Sequence, residues 1–341
     1  MAVLVLAPLD DDHATAVVRE IDRLGGEAEI VDLSAFPQHV RLSMRYDCCG
    51  GRGFALELPS GHRSLGDFGS VWWRRPQTPL VSSEITRPAH RIFAMNEAQE
   101  ALSGLWYALD AFWVNDPARD LVAHRKAFQL RVAQDVGLRV PATLITNDPD
   151  AARSFVDARG YRDVVYKAFS ATETDWRETR IMRQDELPLL DHVRYAPVIF
   201  QEYVEALYDL RVTVVGDEVF AAAIHSQETA YTVDFRMDIE NAEIETVSLP
   251  DEVEDRVRAL MTRLGLVYGA IDMRLDRDDR YVFLEVNPAG QWLFVEEKSG
   301  QPIASALAEV LVTNDRAGAI SPVEAAVVGV SAERARRQGG R

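Results

Sequence analysis

Two carboxylates and an amide, Asp272, Glu285 and Asn287, lie close together in the stretch from Tyr268 to Trp292, as Gly269-Ala270-Ile271-Asp272 and Leu284-Glu285-Val286-Asn287-Pro288. Residues 270–275 and 281–286 are largely apolar and β-prone, and the charged residues 276–280 between them are turn material, so the stretch reads as a hairpin. Residues i and i+2 of a strand share a face, so Glu285 and Asn287 project to one side, where Asp272 of the first strand can meet them. Hard oxygen ligands of this kind suit Mg²⁺, which is usually held by a few protein oxygens together with substrate phosphates. Such a metal would come with a nucleotide. An Asp-rich hairpin can also be an ordinary solvated turn, and the choice rests on the remainder of the chain.

Lysine usage bears on the same chemistry. Basic charge is carried almost wholly by Arg, and the only lysines are Lys126, Lys167 and Lys298. A compact ammonium suits a nucleotide phosphate, whereas the planar guanidinium of Arg suits bidentate oxyanion binding.

The elements that would position these groups follow from hydrophobic period and turn chemistry. Residues 2–6 are strand-like, residues 11–24 are helical up to Gly25-Gly26, and residues 27–31 are a second strand, an α/β beginning. The loop Ala7-Pro8-Leu9-Asp10-Asp11-Asp12 lacks a Gly-x-Gly-x-x-Gly fingerprint and is acidic where a pyrophosphate would sit, which excludes a dinucleotide site there. Residues 40–44 and 54–58 alternate around a Gly-rich segment and form a hairpin. In Val71-Trp72-Trp73-Arg74-Arg75-Pro76 the tryptophans are read as core and edge, and at most one of Arg74 and Arg75 faces a cleft; Arg74 is the candidate for an anionic ligand, with solvent as the alternative.

Residues 92–112 are an amphipathic helix, and Trp113 to Pro117 is a lobe boundary. Residues 120–136 form a helix containing Lys126, residues 164–169 a strand containing Lys167, and residues 198–204 another strand. The next strand begins at Tyr208, with Asp209 and Arg211 on one face; a surface cross-strand pair is the alternative reading. Residues 219–224 and 231–238 are further strands bordering the same cleft. They carry Asp234-Phe235-Arg236 and leave His225 open between a structural role and a substrate contact.

Composition sets the bounds. With 341 residues, 47% of them hydrophobic, the chain can build two or three lobes with real cores. Its formal charge of −17 argues against general nucleic-acid binding. No apolar run is long enough to cross a bilayer and the first residues lack a basic start, so a cytoplasmic protein without a membrane partner is expected. The adjacent Cys48 and Cys49 have no further Cys to complete a zinc or disulfide framework and read as reduced surface thiols.

The Gly-x-x-Asp strand followed by Leu284-Glu285-Val286-Asn287-Pro288 resembles the metal-binding end of the ATP-grasp superfamily, and Lys126-x₃-Leu-x₅-Val-Gly-x-x-Val-Pro-x-Thr resembles its entry. The resemblance implies an α/β (α+β) chain with the ATP-grasp fold and an N-terminal pre-ATP-grasp α/β lobe. Its domains would be residues 1–115, a central subdomain 116–195, a C-terminal subdomain 196–312 with the metal site, and a tail 313–341 that is partly helical or disordered. It also implies that Lys126 and Lys167 hold ATP phosphates and that Gln201, Glu202, Tyr203 and Val204 form the adenine hinge. Asp209 would lie near the ribose, and Arg211 would reach the transferred phosphoryl or the acyl group. Ser170-Ala171-Thr172-Glu173-Thr174-Asp175-Trp176 departs from the Gly-rich phosphate loop of many such ligases.

Val286-Asn287-Pro288-x-Gly-Gln-Trp, Glu296-x-x-x-Gly-x-Pro-Ile-Ala and Trp73-Arg74-Arg75-Pro76 look like the microviridin-type graspetide synthetases, ATP-grasp enzymes that crosslink ribosomal peptides. The resemblance implies an ATP- and Mg²⁺-dependent, homodimeric macrocyclase acting on an acidic precursor peptide. It would phosphorylate Glu or Asp side chains and join them to Lys amines or to Ser or Thr hydroxyls, giving ω-amide or ω-ester crosslinks, with Arg74, Arg211, Arg236 and His225 toward the peptide. Two other readings remain: a carboxylate–amine ligase acting on free amino acids or small acids, and a non-catalytic ATP-grasp-like binding protein.

Overall fold

Strand β1 (Ala2–Leu6) is a run of apolar residues, and all but the first are buried at the centre of a sheet. The computed structural model describes residues 2–169 and 179–314, which divide into two units: residues 2–117 with 304–314, and residues 118–169 with 179–303. The expected departure from a Gly-rich loop at Ser170 to Trp176 lies outside the described residues, as does the tail beyond Asn314.

In the first unit, helix α1 (Asp12–Arg23) starts where the Asp11 carboxylate accepts the Ala14 N–H at 2.7 Å, an N-cap that satisfies one orphan donor of the first turn. Next come β2 (Glu27–Val31) and a small antiparallel sheet of β3 (Arg41–Tyr46), β4 (Arg52–Leu58) and β5 (Gly61–Ser64). They are followed by β6 (Phe68–Trp73), helix α2 (Pro88–Ala108) and β7 (Phe112–Val114). The main sheet is parallel, in the order β2-β1-β6-β7. The helix expected over residues 92–112 ends at Ala108, because Phe112 and Trp113 pair with Ser70 and Val71 of β6 and are drawn into the sheet. Trp72 is buried, while Trp73 meets Trp106 and Trp113 edge to face at 6.2 and 6.1 Å, so both tryptophans serve packing.

Helix α3 (Pro117–Ala123) leads into the second unit and is followed by α4 (Lys126–Asp135). The single helix expected over residues 120–136 is therefore two. The chain is extended at Arg125, and the Gln129 side chain donates to the Ala123 carbonyl at 2.6 Å, taking up a carbonyl that a continuous helix would have used. Lys126 thereby becomes the first residue of α4 rather than a mid-helix one. Strands β8 (Thr143–Thr146), β9 (Val164–Lys167), β10 (Arg180–Ile181) and β11 (Val198–Glu202) form an antiparallel sheet in the order β10-β9-β11-β8, covered by helix α5 (Pro149–Arg159).

A second antiparallel sheet runs β14-β13-β12-β15-β16. Its strands are β12 (Ala206–Val215), β13 (Glu218–Ile224), β14 (Ile244–Thr246), β15 (Tyr268–Asp276) and β16 (Tyr281–Asn287), with helix α6 (Asp251–Leu264) before β15 and α7 (Leu293–Ser299) after β16. Every residue of β15 is buried. Ile271 and Met273 join a core with Val257, Leu260 and Leu264 of α6, and period-2 alternation sends Asp272 and Arg274 to the opposite face. The strand expected over residues 231–238 is instead a loop with a 3₁₀ turn at Phe235–Met237, because the Asp234 carboxylate accepts the Arg236 N–H at 3.2 Å and closes a local turn. The last helix, α8 (Ile303–Asn314), belongs from Ala304 onward to the first unit, where the Ser70 hydroxyl donates to the Leu311 carbonyl at 2.7 Å. No helix among the described residues is long and apolar enough to cross a membrane.

Leu260 is fully buried in the sheet–helix core. Leu260→Ala should lower unfolding free energy by about 2–5 kcal/mol, the usual cost of such a cavity. Urea denaturation followed by circular dichroism checks this.

Candidate active site

Strands β12, β15 and β16 place two opposite-charge pairs, and a carboxylate pair beside them, on one face of their sheet. Register sets Arg211 opposite Asp272 and Asp209 opposite Arg274, and on the other side sets Asp272 opposite Glu285 and Ala270 opposite Asn287. Arg211 donates to Asp272 at 2.6 Å and to the Gln291 carbonyl at 2.5 Å, and Arg274 donates to Asp209 at 2.7 Å. The Ser226 hydroxyl donates to the second Asp209 oxygen. The cross-strand pairing considered for Asp209 and Arg211 is thus real, but it is buried, and each residue pairs with β15 rather than with solvent.

The cleft in front of this face has a cavity volume of about 200 Å³ and is open to solvent. Lys126, at the start of α4, reaches Glu285 at 2.8 Å. Lys167, from β9, donates to the Gln201 amide oxygen at 3.2 Å, and Gln201 donates to Thr143 at 2.9 Å. Gln201, Glu202, Tyr203 and Val204 line the cleft together with Asp209, Asp272, Arg274 and Glu285. The Glu202 and Tyr203 N–H groups are already engaged by the Ala142 and Asp163 carbonyls, which fixes this segment in place. Arg236 also lines the cleft, with its fork closed on Asp234 at 2.7 and 2.6 Å.

Charge in the cleft is finely balanced. Burial alone would raise the Glu285 carboxyl, yet Lys126, Lys167 and Arg236 hold it down to about 2. Burial raises the Asp272 carboxyl despite Arg211, and Glu285 opposite adds to the rise. Burial lowers the Lys167 ammonium, with Glu285 opposing that shift.

Two carboxylates facing each other across a ladder repel, and a cation between them relieves the repulsion. The Arg211 Nε is buried with no hydrogen-bond partner among the described residues. The donor set, two carboxylates with an amide two positions on and lysines beside them, fits Mg²⁺ with phosphate oxygens. The Asn287 side-chain oxygen accepts the Ala289 N–H at 3.0 Å and keeps a lone pair. No cluster of three or more His, Cys, Asp or Glu is arranged to hold a metal among the described residues.

Gly290 lets the following turn press onto this site: a Cβ there would lie 2.4 Å from the Ala270 Cβ and 3.0 Å from Arg211.

His225 stands outside the cleft lining, paired with Glu245 at 3.0 Å and near the Tyr208 ring. Arg74 is buried in the first unit, with its Nε 3.4 Å from Asp11. The residue that sequence reasoning missed is Arg274. Its signal was available: it lies two positions after Asp272 on a strand otherwise apolar around it, and so must share the buried face.

The fold and this site define a class. The chain belongs to the RimK-like ATP-grasp family, whose domain description matches residues 123–311, and an MvdD pre-ATP grasp domain matches residues 2–120. Among solved structures it is similar to the macrocyclase MdnC of Microcystis aeruginosa MRC bound with precursor peptide MdnA, at 30% identity and a TM-score of 0.83 over 92% of this chain and 100% of that one. It is also similar to a Chryseobacterium gregarium RiPP-associated ATP-grasp ligase in complex with ADP and a leader and core peptide, at 28% identity and a TM-score of 0.83 over 93% and 99% of the two chains. Among curated proteins, a probable alpha-L-glutamate ligase of Citrobacter koseri is 28% identical over 203 residues, 58% of this chain and 66% of that protein.

Lys126 supplies a testable charge. Glutamate in an unfolded chain titrates near 4.3 (roughly), so stability from the depressed Glu285 is full above that value and drains as pH falls toward about 2. Lys126→Met should raise the folded Glu285 pKa, so the variant is less stable than wild type at pH 6. The gap should narrow below about pH 4 as both forms protonate. Urea midpoints of the two proteins across this range measure it.

Proposed function

We propose that the chain is an ATP-dependent peptide macrocyclase. It phosphorylates Glu or Asp side chains of a ribosomal precursor peptide, and Lys amines or Ser or Thr hydroxyls of the same peptide displace the phosphate. The carrying observation is the convergence of Lys126, Lys167 and Arg236 with Asp272 and Glu285 in one cleft walled by the 201–204 hinge. The lysines hold and neutralise phosphates of ATP, and the hinge with Asp209 takes the nucleoside. Mg²⁺ would be held by Asp272, Glu285 and Asn287, and when bound it supplies charge neutralisation between phosphates. Arg211, fixed between Asp272 and the Gln291 carbonyl, presents a permanently charged group to the developing acyl phosphate. Arg236 serves the acidic peptide, which needs local cations to approach a chain of net charge −17.

The test is mass spectrometry of the acidic peptide encoded beside this gene, incubated with the enzyme, ATP and Mg²⁺. Each bond formed should remove the mass of one water from the peptide. Glu285→Ala with Asn287→Ala should abolish the change, and Arg236→Ala should impair it while leaving nucleotide binding intact. Similarity to glutamate ligases keeps a second reading, ligation of a free amino acid. An unchanged peptide beside ADP formation with a small acid and an amine would favour that one.

The homodimer and a cytoplasmic site of action belong to the same proposal. The first turns of α2 expose Ile92, Phe93 and Met95 at 60%, 66% and 38%. An apolar ridge of this kind buries itself well against a two-fold copy of itself. Ile92→Glu with Phe93→Glu should convert a dimer to a monomer in sedimentation velocity; an unchanged sedimentation coefficient would refute this surface.

A further inference from the structure

The loop between β13 and β14 carries Asp234 and Arg236 into the cleft, and two cations collect its backbone carbonyls. At its near end Arg274 donates to the Thr232 and Val233 carbonyls at 3.2 and 2.8 Å. The same guanidinium donates to the Val204 carbonyl at 2.7 Å and to Asp209 at 2.7 Å, so one side chain ties the loop to the nucleotide hinge. At its far end Lys298 of α7 donates to the carbonyls of Ile239, Glu240 and Ala242 at 2.9, 2.8 and 2.9 Å. An ammonium has three N–H donors, and three carbonyls of one turn take them. Between the two ends, Phe235 rests near the Phe294 ring of α7, with centroids 6.4 Å apart, and the Arg211 guanidinium lies 5.8 Å from that same ring. Lys298 is therefore the one lysine of the chain that does not line the cleft, yet it holds a segment that does.

We infer that Lys298 is a positioning residue for the acidic substrate: together with Arg274 it holds the loop of residues 229–243 as a doubly fastened arm that presents Arg236 to the peptide. Arg274 fastens the arm to the groups that take the nucleoside, and Lys298 fastens it to α7. Loss of the far fastening frees residues 239–242 to wander and leaves the hinge, the cleft lysines and the carboxylate pair untouched. The ordering cost then falls on peptide binding alone.

This inference rests on the macrocyclase reading, and the test separates the two. In the full-length protein without ligands, Lys298→Met should speed amide hydrogen exchange across residues 235–243, with exchange in β12 and β15 and the global melting temperature unchanged. In crosslinking assays the same variant should raise the KM for precursor peptide about tenfold, the effect of losing one charge-assisted contact, with the KM for ATP as in wild type. Lys298→Arg should restore the arm only in part, because a planar fork cannot meet three carbonyls grouped around one point. Unchanged exchange in the arm, or equal rises in both KM values, would overturn the inference. A wild-type enzyme that protects the arm but crosslinks no peptide would instead refute the macrocyclase reading and leave the fastening in place.

Discussion

The structure of the second unit depends on one arrangement: the carboxylates of three neighbouring strands, each held by a cation from a neighbouring strand or helix. Arg211 faces Asp272, Arg274 faces Asp209, and Lys126 reaches Glu285. Such pairs add little net stability over apolar residues of equal volume, but removing one partner strands a buried charge at a cost of several kcal/mol. Evolution of this sheet is therefore constrained pairwise. The apolar face, with Leu260 and Ile271 in its core, provides the burial that makes a charged face on the same strands tolerable.

That arrangement also explains how the cleft can accept anionic phosphates and an acidic substrate in a strongly acidic chain. The local field is set by Lys126, Lys167, Arg211, Arg236 and Arg274, all within the second unit and each oriented by a named acceptor. Net charge acts at long range and is screened by salt, whereas these cleft groups act at contact distance. The charges a metal and phosphates would meet are thus preorganised by hydrogen bonds already in place, and little rearrangement is needed when they arrive.

Much of this was legible in the sequence, for definite reasons. The β15–β16 hairpin declared itself because its apolar runs alternate and its turn is almost wholly charged. Lys126 and Lys167 stood out in a chain that otherwise uses Arg. The break before Lys126 was hidden, since no Gly or Pro marks it: Gln129 makes it by a side-chain bond, and the same side chain also donates to the Val286 carbonyl at 2.7 Å. The loop around Arg236 read as a strand because Tyr231, Val233 and Phe235 alternate, yet its carbonyls are claimed by Arg274 and not by a neighbouring strand. In both cases a polar side chain overrode local period, Gln129 from the next turn and Arg274 from a distant strand. Local pattern carries no record of such bonds, whereas Arg274 itself was legible from its place two positions after Asp272 on the same strand.

The distribution of cation types follows from the shape of what each must hold. Arg211 and Arg274 span acceptors on separate segments, a carboxylate on one side and main-chain carbonyls on another, which a flat fork with donors on two edges can bridge. Lys126 and Lys167 each meet a single side-chain oxygen at the cleft wall and keep further donors for oxygens arriving from the open side. Lys298 meets three carbonyls from one turn, which a compact ammonium can satisfy from a single point. An Arg at any of the three lysine positions would keep the charge and lose that geometry. At these five positions cation type follows acceptor layout: lysine meets one oxygen or three converging ones, and arginine bridges acceptors that lie apart.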